Sequence, residues 1–526
     1  MTVTHDQMTI YSFREELERL CDEQPHARAW LDAKTGRVWT YGALLKAVRG
    51  LGALLAEAGV RPGDRVSSLL PNSIEQLTVF LAALWAGFDF CPISPLSTAE
   101  EACRFARMCR SAITLVPPGL DRGLAEQLAA ATTTHRLLPV TLDGDLTRYI
   151  GRDVPPDATT PARGGKIILF TSGTTHDPKA IVLDGDRLWS SGRAWAVHHP
   201  SLDGEARFYN VFPMSYLGGL FNLGLIPLAC HGSVVIADAF SAASVLNFWR
   251  EVEEHGVNTL WLAPTMLRAL LSLHKPGAPV ERIRRQVRTC FLGMAPVALD
   301  EKERFERTFG LSLLENFALS ETTFLTSEQG QDPALRTPGS VGRLLPWVTV
   351  RLQPVADASA EIEVQTPFLF DGYLDGEGRV HRPLTADGFF QTGDLGAQDA
   401  QGGLVLQGRL KEIVKKGGYL ILLRDLEEVV QGHPAVTEAA AIGVAHEFYG
   451  ESPVLCVRLA RSVAAPRPVL QDLKMLVVGR LAKFKWPSEI IAMDAFPKTE
   501  NGKIQKRFLV QRVGSRAGVV DALRVA

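Results

Sequence analysis

The residues most open to a chemical reading lie in FTSGTTHDPKA, 170–180, where small hydroxyls and a glycine lead to a lysine. Thr171, Ser172, Thr174 and Thr175 supply donors, Gly173 backbone freedom and Lys179 a positive charge. Such a loop suits an anion, above all a phosphate chain. A Ser/Thr-rich surface turn has the same composition, so the choice rests on the rest of the chain. A second lysine, Lys503, stands in FPKTENGKIQKR just after Asn501-Gly502, a turn pair that sets a side chain at a loop tip.

The elements around these residues imply an α/β protein. GKIILF, 165–170, is a short β-branched run bounded by Pro- and Gly-rich sequence, which predicts a buried strand leading into the hydroxyl loop. Further on, EQLTVFLAALWAGF and AASVLNFWREVEEHG have helical periodicity, and SVVIAD and TLWLA read as strands. This alternation predicts a largely parallel sheet over the first four hundred residues. The stretch 371–388 reads as a loop. From residue 408 the elements shorten: RDLEEVVQGH, AVTEAAAIGVA, SPVLCVRLA and PVLQDLKMLVVGRLAKF read as helix, strand, strand and helix of a small α+β unit. The domains expected are therefore 1–408 and 409–526.

With 526 residues, more than one core is expected. A balance of 56 basic and 58 acidic side chains offers no field for a nucleic acid backbone. Seven scattered cysteines form no CxxC pair, which fits a reducing cytoplasm. The first residues lack a signal-peptide pattern, and the longest apolar stretch, LGGLFNLGLIPLAC, is too short and too broken for a membrane span. GxxxxGK[ST], GxGxxG and GxSxG are absent. HHPSLDG, 198–204, has the HHxxxDG form of carrier-dependent acyltransferases, but no second motif of that class follows, and it reads as a polar connection.

Six segments in order, TSGTTHDPKA, GMAP at 293–296, NFALSET at 316–322, QTGD at 391–394, GRLKEIVKKGG at 408–418 and PKTENGK at 497–503, resemble the acyl-adenylate-forming superfamily. That family contains acyl- and aryl-CoA synthetases, peptide-synthetase adenylation domains and luciferases. The resemblance implies a large N-terminal adenylation domain of layered sheets and helices and a small mobile C-terminal domain. It also implies activation of a carboxylic acid by ATP and Mg²⁺ as acyl-AMP. Thr171 to Lys179 would be the phosphate loop, with Thr174 and Thr175 near the β- and γ-phosphates. Glu321 would hold Mg²⁺, with Ser320 beside the α-phosphate. Gly293, Met294, Ala295 and Pro296 would lie against adenine, with Asn316 and Phe317 nearby. Asp394 and Arg409 would grip the ribose, and Lys503 would bridge the carboxylate and α-phosphate. A hinge at Lys411 would turn the small domain, presenting Gly417-Gly418 to a pantetheine arm.

Several positions depart from the family pattern. His176 and Ala180 replace glycines in the phosphate loop, Tyr216 stands at the aromatic gate, Lys411 replaces a common hinge aspartate, and Leu423 replaces a proline. Leu217 and Gly218 follow the gate where α-amino-acid enzymes place an aspartate, so a substrate ammonium would have no partner and an ordinary α-amino acid is disfavoured. Tyr216, Leu217, Phe291, Leu292, Leu319 and Phe324 suit an aryl or medium acyl pocket, and equally suit plain core packing. CoA is the expected acceptor; an amine or a separate carrier protein remains open, as does a non-catalytic nucleotide-binding role.

Overall fold

The computed structural model describes residues 8–134, 136–140, 164–171, 179–241, 243–274, 280–330, 336–356, 359–416, 419–499 and 502–525. They form two compact units, one from residues up to 349 together with 365–383, the other from 350–364 and 384 onward.

Two largely parallel sheets organise the first unit. Among the described residues one has eight strands, with Asp89–Pro92, Arg65–Ser68, Ile113–Val116 and Arg136–Pro139 parallel. Beside them lie Lys166–Thr171 and, antiparallel to it, Lys179–Asp184, with Thr171 opposite Lys179. The two ends of the hydroxyl-rich segment therefore sit on neighbouring strands. The other has nine strands among the described residues, parallel from Arg28–Asp32 through Ser233–Ile236, Arg207–Asn210, Thr259–Leu262 and Thr289–Leu292 to Leu313–Leu319. Strands covered on both faces are largely apolar, and Ser233–Ile236, Thr259–Leu262 and Thr289–Leu292 are buried at every position, with only the first residue of each polar. Helix Ile74–Ala86 is likewise buried nearly all round, and the Ser73 hydroxyl accepts the Gln76 N–H at its start.

Two expectations need correction. The helix expected over 242–256 is broken into a 3₁₀ turn, Ser244–Leu246, and helix Phe248–Glu254. Ser241 and Ser244 exchange side-chain and backbone hydrogen bonds there, and such local bonding competes with a continuous helix. The stretch 371–388 is not all loop: it contains strands Gly372–Leu374 and Val380–His381, added to the eight-stranded sheet beside Lys179–Asp184. Its turn-rich composition hides strands this short, because the ladder that forms them is supplied by the distant sheet edge.

A stack of rings fills the interior between Gly185–His198 and the nine-stranded sheet. Trp195 lies 3.9 Å from Phe324 and 5.5 Å from Trp261, and Trp261 lies 4.7 Å from Phe291. Phe291 and Leu292 are fully buried.

The second unit holds an antiparallel sheet of Thr349–Ala356, Ser359–Gln365, Phe390–Gln398 and Leu404–Arg409, and a second sheet around the long hairpin Val436–His446 and Gly450–Leu459. Period-two alternation splits that hairpin between two cores. Ala439, Ala441, Leu455 and Val457 pack under helices Leu423–Gln431 and Pro466–Arg480, while Ala440, Ile442, Val454 and Cys456 meet Leu509 and Val513 of Lys506–Ser515. Leu423, at the family's proline position, is part of the first core.

Candidate active site

The assigned residues divide between the units. In the first, Gly293–Pro296 and Leu319–Glu321 follow the C-terminal ends of the neighbouring parallel strands Thr289–Leu292 and Leu313–Leu319, the end at which open α/β sheets take ligands. The Asn316 amide donates to the Leu292 carbonyl at 2.9 Å and ties the two ends together. Phe317 is buried beside it, while Met294, Ala295 and Pro296 are exposed. Met294 has a φ of +74°, rare outside glycine, which points to a backbone held by its surroundings. Its methyl group reaches Gly218, where a Cβ would stand 2.8 Å from it and 3.0 Å from Phe212, so a side chain at 218 would displace Met294. Gly218 opens the π-helical segment Gly218–Leu225, preceded by half-buried Tyr216 and Leu217; Leu319 and Ser320 are also half-buried.

Glu321 stands in the tight turn between Leu313–Leu319 and Thr323–Ser327. Thr323, β-branched and buried, has a φ of +58°, and its hydroxyl meets that of Ser191 at 2.8 Å. A β-branched residue in the left-handed region is strained, and packing keeps it there. The Phe370 N–H donates to the Glu321 carbonyl at 2.8 Å, and the Tyr373 hydroxyl donates to Glu321 Oε1, also at 2.8 Å. The Lys179 ammonium lies 4.3 Å from the centre of the Tyr373 ring. Two phosphate-site candidates thus share one tyrosine, which the sequence reading missed because it lay in a stretch taken for loop.

Mg²⁺ takes hard oxygens, often one or two carboxylates together with substrate phosphates and water. Glu321, half-buried and with one oxygen already oriented by a phenol, fits that role. Among the described residues no group of three His, Cys, Asp or Glu is placed to hold a metal.

In the second unit Asp394 and Arg409 are cross-strand partners, with Arg409 Nε 2.8 Å from Asp394 Oδ1. The Thr392 hydroxyl accepts the Asp394 N–H and donates to the Ile362 carbonyl, and Glu361 accepts the Gly393 N–H, so the QTGD turn is held from three sides. The Lys503 N–H donates to Thr499 Oγ1, and the Lys503 carbonyl accepts the Thr499 N–H. Burial and then the Arg409 guanidinium push its pKa down to about 8, against opposing pulls from Glu412 and Asp394. Lys503 is exposed, so water weakens the burial effect, while the Arg409 charge acts in the same direction. Lys411 lies in the 3₁₀ turn Leu410–Glu412, and Glu412 meets Lys506 at 2.8 Å.

Ser172, Gly173, Thr174, Thr175, His176, Gly417 and Gly418 lie outside the described residues, as does the side chain of Thr171. Ala180, where relatives have glycine, is a buried strand residue packed with Ile168 and Val182. The HHxxxDG segment is structural: His199 lies 4.4 Å from Trp195 and 4.9 Å from Phe291, with burial and then His198 holding its pKa down at about 3, and Asp203 pairs with Arg288. Among the described residues no helix is long and apolar enough to cross a membrane.

The chain is 29% identical to an oxalate–CoA ligase of Arabidopsis thaliana, covering 88% of this chain and 91% of that protein. It is 28% identical to a sulfoacetate–CoA ligase of Cupriavidus necator, covering 90% and 93%. The ATP-bound structure of MatB from Rhodopseudomonas palustris superposes with a TM-score of 0.83 at 27% identity, covering 95% of this chain and 99% of that one. Residues 17–374 match the AMP-binding enzyme family and 425–503 the AMP-binding enzyme C-terminal domain, and the chain therefore belongs to the acyl-adenylate-forming AMP-binding enzymes.

Proposed function

We propose that the protein joins a carboxylic acid to CoA in two steps. A carboxylate oxygen attacks the α-phosphorus of ATP, the bond to the β-phosphate oxygen breaks, and acyl-AMP and pyrophosphate form. The CoA thiol, losing its proton, then attacks the acyl carbon, and AMP leaves. The first step brings two anions together, so positive charge and oriented donors are its main requirement. Lys503 would bridge the attacking carboxylate and the α-phosphate; Asp394 and Arg409 would hold the ribose. Thr171, Ser172, Gly173, Thr174, Thr175 and Lys179 would hold the phosphates, Gly293–Pro296 with Asn316 and Phe317 the adenine, and Ser320 the α-phosphate. Glu321 would carry Mg²⁺, which cancels charge on the phosphates. A hinge at Lys411, with the domain boundary near 409, would let the C-terminal part serve both steps.

The reading rests above all on the cross-strand pair Asp394–Arg409, with Arg409 Nε 2.8 Å from Asp394 Oδ1 and the Lys503 ammonium within electrostatic reach of both. CoA as acceptor is supported by the CoA ligases among the relatives. Their acids run from oxalate to 4-chlorobenzoate, so the relatives support carboxylic acids as a class. Tyr216, Leu217, Gly218 and Leu319 favour an aryl or medium acyl group and offer no carboxylate to an α-ammonium. Incubation with ATP, Mg²⁺ and aryl, fatty and short dicarboxylic acids, with CoA or a mixture of amines, tests the proposal by mass spectrometry and pyrophosphate release. Acyl-CoA is the expected product. Amide without thioester would assign an amine as acceptor, acyl-AMP alone would assign a carrier protein, and no pyrophosphate with any acid would overturn the activity.

A further inference from the structure

We propose that Tyr373 is a positioning residue for the nucleotide-bound cation, orienting the Glu321 carboxylate through its hydroxyl while its ring seats the Lys179 ammonium. The inference rests on the reading of Glu321 as the cation's protein ligand.

The geometry comes from three directions. Tyr373 lies opposite Ile181, two residues from Lys179 on the neighbouring strand. Its depth there is set by Gly372, whose φ of +145° and whose 2.4 Å gap between a built Cβ and the His381 carbonyl oxygen admit no side chain. From that fixed strand the phenol reaches Glu321 Oε1 at 2.8 Å, and two residues before Gly372 the Phe370 N–H holds the Glu321 carbonyl. One short segment therefore grips both the backbone and the carboxylate of Glu321. The strained Thr323 backbone, two residues on, fixes the turn that carries Glu321. A phenol bonded to one carboxylate oxygen orients the group for its metal, as partners behind metal ligands commonly do. The Lys179 ammonium over the same ring face is a cation–π contact. Removing the hydroxyl alone separates the two functions, since Tyr373→Phe keeps the ring.

The test is a double-mutant cycle on cation binding, read without turnover. Mn²⁺ is titrated by electron paramagnetic resonance into the full-length protein saturated with α,β-methylene-ATP, for wild type, Tyr373→Phe, Glu321→Gln and the double variant. Tyr373→Phe is expected to weaken Mn²⁺ binding about tenfold, with metal-free nucleotide affinity and thermal midpoint unchanged. In the Glu321→Gln background the same substitution is expected to add little, because the phenol acts through the carboxylate. Unchanged Mn²⁺ affinity in Tyr373→Phe, or an equal loss in both backgrounds, would overturn the positioning role while leaving Glu321 as ligand. Unchanged affinity in Glu321→Gln alone would instead show that the reading of Glu321 itself is wrong, and the inference would fall with it.

Discussion

Lys503 lies close enough to Arg409 for that guanidinium to lower its pKa, and its charge is the one the proposed adenylation step would use. A lysine with a pKa of about 8 is an ammonium below that pH and loses its proton as pH rises through it. The adenylation half-reaction, followed by ATP–pyrophosphate exchange, should therefore decline above about pH 8. In Lys503→Arg the charge persists to much higher pH, so the alkaline decline should vanish even if the rate is lower. A decline that survives the substitution belongs to another group. Lys503→Ala should reduce exchange by about a hundredfold or more while ATP binding, measured by calorimetry, stays nearly intact.

Two elements carry predictions of their own. The first is the turn Leu410–Glu412, where the proposed hinge residue Lys411 sits one position before Glu412, itself paired with Lys506. Proline at 411 restricts the backbone there, so Lys411→Pro should slow thioester formation while pyrophosphate exchange is largely kept. Equal loss of both steps would argue against a hinge. The second is the start of the π-helical segment, where Met294 packs on Gly218. Gly218→Val forces the Met294 side chain aside and fills space near Tyr216 and Leu217. We expect a rise of about tenfold or more in KM for the acid with little change in KM for ATP, because a side chain in a pocket discriminates by its volume.

At the scale of the whole molecule, an enzyme that makes acyl-AMP before it meets the acceptor should show separable half-reactions. ATP–pyrophosphate exchange should require the acid and proceed without CoA, and AMP release should require the acceptor. Exchange that appears only when CoA is present would contradict the order proposed. The ring stack of Trp195, Trp261, Phe291 and Phe324 belongs to the same scale, since it joins a helix to several strands. Trp261→Ala should destabilise the first unit by about 3–5 kcal/mol, seen as a lowered unfolding midpoint in denaturant.

What the sequence by itself determined was what neighbours in the chain decide. The strand before the hydroxyl loop, the helix in EQLTVFLAALWAGF, two successive strands of the small unit and the family itself were all legible, because hydrophobic period and ordered motifs are local or nearly so. Tertiary structure alone decided that Tyr373 lies between Glu321 and Lys179, which precede it in the chain by 52 and 194 positions and meet it only when the sheet edge is formed. It also decided that His199 is a neutral core residue and that Phe291 and Leu292 are fully buried, while Met294 is turned outward against Gly218. The reason is the same in each case. Burial, a lowered pKa and a hydrogen bond between distant strands are properties of what surrounds a side chain, and those surroundings exist only after remote segments have packed.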